Sequence, residues 1–192
     1  MKLIVGLRNP GSDYEGTRHN VGFEVLTRVL ERKSEKLGRA PLKVNGQVAK
    51  TGRGDDRVFY FASNRYMNDS GASVRAAALY YKITAEEILV IHDDIDLPFG
   101  RLRLQVAGGS GGHNGIRSVE KALGTKEFSR LKFGVGRPPG SVDPAEFVLK
   151  PFTKSERGEV ELMIETAADV VELWPEEPAR AQEMASLFGS EA

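Results

Sequence analysis

The chain has 192 residues, no net formal charge, 40% apolar and 28% charged residues, the composition of an ordinary soluble protein long enough to bury one core. It contains no cysteine, which excludes disulfides, a thiolate nucleophile and Cys-based metal centres, and which suits a reducing cytoplasm. The longest N-terminal apolar run ends at Leu7, too short for a membrane span or a signal core, so a cytoplasmic protein without membrane contact is expected.

Lys2–Leu7, apolar and β-branched, reads as the first strand. The loop after it runs from Asn9-Pro10-Gly11 through Tyr14 to Arg18-His19-Asn20. Loops that follow strand ends are where open α/β sheets gather reacting groups, and Pro10 disfavours helical geometry at Asn9. Plain structural readings stand beside this one: a tight turn at Asn9, an N-cap at Asn20 and a surface imidazole at His19. Val21–Lys33 follows as a helix with Val25, Leu26, Val29 and Leu30 on one stripe.

A weaker strand spans Gln47–Thr51, and a stronger one spans Val58–Ala62. Tyr66-Met67-Asn68-Asp69-Ser70-Gly71 then leads into an Ala-rich helix over Asn68–Lys82, where Asn68 or Asp69 can serve simply as N-cap. Thr84-x-x-Glu87 has the form of a capping box and predicts a helix start. In the strand Ile88–His92 and its continuation, a period of two puts His92 and Asp94 on one side and Asp93 on the other. That alternation splits the hard ligands, and only two other histidines exist, so no metal is expected. A lone Asp93 is instead suited to orienting an imidazole and favouring its charged form.

Strands at Leu102–Val106 and Leu131–Val135 enclose the glycine loop Gly108–Gly115 and a short helix over Ile116–Leu123. The glycines match neither a dinucleotide nor a Walker A pattern. Gly108–Gly112 does fit G-x-S-x-G, which would make Ser110 a nucleophile, but no histidine follows His113 to complete that fold's triad. The remaining reading is a backbone loop that presents Asn114 and amide groups to an oxyanion or phosphate. Charge is uneven here. Arg101 to Arg137 holds eight basic and two acidic residues, whereas Pro151 to Ala192 holds ten acidic and three basic ones. Solvated faces explain both segments, and a phosphate-binding face explains the first.

Thr153-x-x-Glu156 is a second capping box, opening a helix through Val160, Ile164, Ala167, Val171 and Trp174 to Pro175, with residues 176–192 as a helical tail. Alternating elements predict an α/β fold: one domain over 1–192, a three-layer sandwich whose twisted, mixed, mostly parallel sheet carries helices on both faces.

Five segments in order, Gly-Leu-Arg-Asn-Pro-Gly with Thr-Arg-His-Asn, Tyr-Met-Asn-Asp-Ser-Gly, His-Asp-Asp-Ile-Asp-Leu-Pro, Gly-Gly-His-Asn-Gly and Gly-Val-Gly-Arg-Pro, resemble the motifs of bacterial-type peptidyl-tRNA hydrolases. The resemblance covers Lys2 through Trp174. It implies hydrolysis of the ester between a peptide and the 3′ ribose of tRNA, recycling tRNA from peptidyl-tRNAs released prematurely, with no metal or organic cofactor. Residue by residue it implies His19 as catalytic base, Asp93 as its orienting carboxylate and Asn9 against the peptide next to the ester. It further implies Tyr14, Tyr66, Asn68 and Asn114 around the tRNA end and the scissile bond, with Met67 packed beneath. Gly112 and His113 fall in a gating loop. Lys132 matches a basic position for phosphate; Arg103 stands two residues from Gln105, where the family often has lysine. The family likeness also implies a monomer that binds the tRNA acceptor arm. Two other classes remain: a non-catalytic RNA-binding relative, and a serine esterase using Ser110.

Overall fold

The computed structural model describes residues 1–189. Its seven strands are β1 (Lys2–Gly6), β2 (Gly38–Arg39), β3 (Gly46–Thr51), β4 (Val58–Ser63), β5 (Ile88–Asp94), β6 (Leu102–Val106) and β7 (Ser129–Gly134). They form one sheet in the order β2-β3-β4-β1-β5-β7-β6. The four central strands run parallel, and β3 and β6 pair antiparallel to them on either side. Six helices, α1 (Val21–Arg32), α2 (Ser70–Tyr81), α3 (Asn114–Leu123), α4 (Pro144–Val148), α5 (Lys154–Leu173) and α6 (Pro178–Leu187), complete the described fold. The helical tail holds through Leu187; the expectation for residues 190–192 lies outside the described residues.

A parallel central strand must be apolar on both faces, and β1 shows why. Ile4 joins the core under α1, α5 and α6, while Leu3 and Val5 join the one under α2 and α3. On α5 the apolar stripe works as its spacing predicts, with Val160, Ile164, Ala167 and Val171 all buried. Its start is a true capping box: Thr153 Oγ1 accepts from Glu156 N at 3.3 Å, and Glu156 Oε2 accepts from Thr153 N at 2.6 Å.

The acidic C-terminal segment has a structural use. Glu161, Glu165, Asp169 and Glu172 of α5 pair with Arg28 and Arg32 of α1 along the seam between the two helices. Each exposed pair contributes little alone, about 0–1 kcal/mol, but together they fix which helix faces meet.

The chain crosses from one side of β1 to the other between β4 and β5, so β1 and β5 form the topological switch point where such sheets bind ligands. Helix α1 lies directly on this pair. A Cβ on Gly22 would sit 2.1 Å from Ile91 O, and one on Gly6 would sit 2.7 Å from Gly22 O, so only glycine permits the approach.

Several expected boundaries shift. Thr84-x-x-Glu87 opens no α-helix: Ala85–Glu87 is a single 3₁₀ turn without a side-chain cap, because the buried run of β5 begins at Ile88. The helix expected over Asn68–Lys82 is a 3₁₀ turn at Met67–Asp69 followed by α2. β7 starts two residues early, at Ser129 and Arg130, which are polar yet buried. The two-residue β2 and the five-residue α4 are too short to show a hydrophobic period, and the sequence did not reveal them.

Candidate active site

The loop from β1 to α1 is built around reciprocal hydrogen bonds. Asn9 N donates to Asn20 Oδ1 at 2.8 Å, and Asn20 Nδ2 donates back to Asn9 O at 2.9 Å. Asn20 therefore gives no side-chain cap to α1; it braces Asn9 instead. Asn9 Oδ1 accepts from Met67 N at 2.8 Å, which settles the side-chain orientation and turns the Nδ2 donors toward the cleft. Between these residues a 3₁₀ turn, Arg18–Asn20, carries His19 inward at the start of α1.

Asp93 meets it there. The strand alternation holds: Leu89 and Ile91 face the α1 core, Ile88 and Val90 the α3 side, and Asp93 reaches His19 while His92 packs against His113. His19 Nδ1 lies 2.9 Å from Asp93 Oδ1 and 3.1 Å from Oδ2. The carboxylate thus accepts a hydrogen bond from Nδ1–H and leaves Nε2 as the basic nitrogen. Burial would lower the pKa of His19, but the charge and hydrogen bond of Asp93 hold it above the ordinary histidine value. Burial would raise Asp93, which is 1% exposed; His19 and His113 together keep it well below the usual carboxylate range.

His113 Nε2 is also 2.8 Å from Asp93 Oδ1, and its Nδ1 accepts from Gly115 N and Ile116 N at 3.1 and 3.2 Å. All three histidines of the chain consequently gather around Asp93, His19 and His113 at its carboxylate and His92 at its backbone carbonyl. The His113 ring lies 4.7 Å from that of His19 and 4.8 Å from that of His92. His92 is buried, with Nδ1 2.6 Å from Asp93 O, and burial with the neighbouring His113 pushes its pKa well down. Strand reasoning placed His92 correctly on the other face, but nothing in the spacing showed that a later loop would bring His113 to both.

Around this cluster is a cleft of about 490 Å³. Asn9, His19, Met67, Asn68, Asp93, Gly112, His113 and Asn114 all line it, which brings eight of the expected site residues together. Tyr14 and Tyr66 stand apart from the lining, packed edge to face with centroids 6.2 Å apart; Tyr66 is 58% exposed. The opposite wall, which sequence reasoning missed, is Asp143, Pro144, Ala145, Val148 and Leu149 of α4 and its ends. Arg18 ties that wall to the His19 turn. Its guanidinium donates to Lys150 O, Pro151 O and Glu156 Oε2, at 3.2, 2.9 and 2.8 Å, and lies over the ring of Phe147.

The basic stretch divides. Arg103 and Lys132 are cross-strand partners in β6 and β7, next to His92 in the row beyond, so they share the α3 face. Arg103, Arg117 and Lys121 are exposed, while Lys132 pairs with Asp94 Oδ2 at 3.1 Å. Arg130 leaves the expected RNA-facing set. It is 0% exposed, bonded to Glu120 and to Gly109 O, because the loop and α3 close over β7.

Ser110 lines the cleft, but both nitrogens of its nearest histidine in sequence, His113, are already engaged, so that residue cannot serve as its base. Donor atoms of His19, Asp93 and His113 lie within 4.8 Å of one another, close enough to suggest a metal. Proximity alone does not make one, since Nδ1 of His113 accepts backbone N–H groups and Nε2 must then carry the proton.

Among the described residues, no helix is long and apolar enough to cross a membrane. A family model for peptidyl-tRNA hydrolase matches residues 3–191. The peptidyl-tRNA hydrolase of Nocardia farcinica is 51% identical over 172 residues, 89% of this chain and 88% of that protein. That of Mycobacterium tuberculosis H37Rv is 50% identical over 182 residues, 93% and 94% respectively. The crystal structure of peptidyl-tRNA hydrolase from Acinetobacter baumannii superposes with a TM-score of 0.90 at 32% identity, covering 98% of this chain and 95% of that one.

Proposed function

The chain belongs to the peptidyl-tRNA hydrolase family, and on that premise we propose how its residues cleave the ester joining a peptide to tRNA. The observation that carries the proposal is the buried His19–Asp93 pair, with Nδ1 committed to the carboxylate and Nε2 left to the cleft. His19 Nε2 removes a proton from water as the oxygen attacks the ester carbonyl carbon. Negative charge then grows on the carbonyl oxygen, and the side-chain amides of Asn68 and Asn114, both on the cleft wall, donate to it. When the C–O bond to the ribose breaks, the proton on Nε2 passes to the leaving 3′ oxygen, restoring the base.

Asn9 Nδ2 contacts the peptide carbonyl next to the ester. A free aminoacyl-tRNA lacks that group, so this donor selects blocked substrates. Met67 supports the reacting end from below, Tyr14 and Tyr66 hold the terminal nucleotides at the rim, and Gly112 and His113 belong to the loop beside it. Arg103 and Lys132, with Arg117 and Lys121 on α3, read the charge and shape of the acceptor arm. One chain contains every group this scheme needs, in keeping with a monomer working in the cytoplasm as one domain.

Turnover of an N-blocked aminoacyl-tRNA is the direct test. His19→Ala is expected to lower kcat by about 10²- to 10⁴-fold with tRNA affinity changed only a few-fold. Unchanged turnover would dismiss His19 as base.

A further inference from the structure

Proton transfer at His19 leaves the second donor on Asp93 unexplained. The neutral imidazole of His113 has one possible tautomer here. A nitrogen that accepts the backbone N–H groups of Gly115 and Ile116 carries no hydrogen, so the proton sits on Nε2 and is donated to Asp93 Oδ1 at 2.8 Å. The same oxygen accepts a hydrogen bond from Nδ1–H of His19 at 2.9 Å. One carboxylate oxygen is thus shared by two imidazoles, and one of these is fixed in orientation by the N-terminus of α3.

We propose that His113 is a positioning residue that sets the basicity of His19: by sharing Asp93 it withholds part of the charge that would favour the His19 imidazolium. A hydrogen bond to a carboxylate stabilises its negative charge and lessens its pull on a second proton. Because the ring of His113 also caps α3, that setting holds only while the first turn of α3, with Asn114 in it, is docked. Base strength and one oxyanion donor are therefore delivered by the same contact.

Other charges near His19 are few or already committed. Asp94 of β5 is paired with Lys132 of β7, and His92 of β5 is bonded to a backbone carbonyl. Arg18 and Glu24, flanking the turn, are held by Glu156 and Arg157. Asp143, at the start of α4, accepts from Ala145 N.

This inference rests on His19 as the base, and the test separates the two. With three histidines in the chain, proton NMR of the imidazole Cε1–H groups follows each one, and His19→Ala identifies its resonance. In His113→Asn the side chain caps α3 well but is too short to reach Asp93. His113→Ser repeats the design should that variant fold poorly. In either, the titration midpoint of His19 is expected to rise by about 0.5 unit or more, roughly a threefold change in the protonation equilibrium. The acid limb of kcat/KM should move with it. His113→Gln, which can donate to Asp93 but caps less well, should shift less. A His19 midpoint that stays put or falls in the Asn and Ser variants, whatever happens to kcat, overturns the proposal. If the wild-type acid limb does not follow the His19 midpoint, the base assignment fails instead, and the resonance shifts still decide the role of His113.

Discussion

Gly22→Ala is the substitution whose outcome separates this geometry from generic helix chemistry most sharply. Within an exposed helix the change would stabilise by about 1 kcal/mol, since alanine is the better helix former. Here the new Cβ would lie 2.1 Å from Ile91 O and 3.3 Å from His92 Cα, whereas ordinary contact begins near 3.4 Å. The first turn of α1 must therefore lift from β5 by more than an ångström. His19 stands three residues before Gly22 and Asp93 two residues after Ile91, so the lift falls on a contact now 2.9 Å long. Stretched to about 4 Å, it is no longer a hydrogen bond. Overpacking of this kind costs about 1–3 kcal/mol, and a misplacement of this size at a reacting pair can cost about 10²-fold in rate. Chemical denaturation and kcat on N-acetyl-aminoacyl-tRNA measure the two effects separately. A Gly22→Ala protein that is as stable as the parent and turns over within threefold of it would refute the reasoning.

The raised pKa of His19 requires the acid limb of kcat/KM to have its midpoint above about 6.5, the ordinary histidine value; a pH–rate profile with a lower midpoint contradicts it. Stability runs the other way. The contribution of His19 is full below its unfolded pKa and lost as pH rises through the folded value, while that of Asp93 is present above about 3.9 and lost only in stronger acid. Asp93→Asn should therefore show a smaller change in melting temperature between pH 5 and pH 8 than the parent. Arg18→Ala removes a buried cation from two carbonyls and Glu156, and should cost about 3 kcal/mol in urea unfolding; a loss below 1 kcal/mol would mean that α4 is held by other contacts. Replacing Arg103 and Lys132 together by Gln should weaken tRNA binding and reduce the slope of log Kd against log salt by roughly one to two. An unchanged slope would move the RNA to another face.

Long apolar periods made most of the layers legible: the stripes of α1 and α5 and the runs of β1, β4 and β5 left little choice of element or face. The meeting of His19 with Asp93 was also legible, because a loop histidine after the first strand and a lone carboxylate ending a central one are well placed to share the crevice at the strand ends. The Thr84 box misled because a local capping pattern says nothing about the strand that begins four residues later. Arg130 misled in the opposite direction, since a charged residue reads as surface unless its partners are known, and Glu120 and Gly109 reach it only in three dimensions. The α4 wall and the histidine cluster depend likewise on contacts between distant segments.

Registry between β1 and β5, with Val5 opposite Val90 and Gly6 opposite Ile91, decides more than sheet order. Slipping β5 by one residue would point Asp93 at the wrong layer and strand His19 without its counter-charge. During its own synthesis this protein is itself a peptide esterified to tRNA, the kind of molecule it later cuts. The His19–Asp93 contact cannot form until the polypeptide has grown past residue 93 and zipped two strands in step, so nascent chains shorter than that lack the pair.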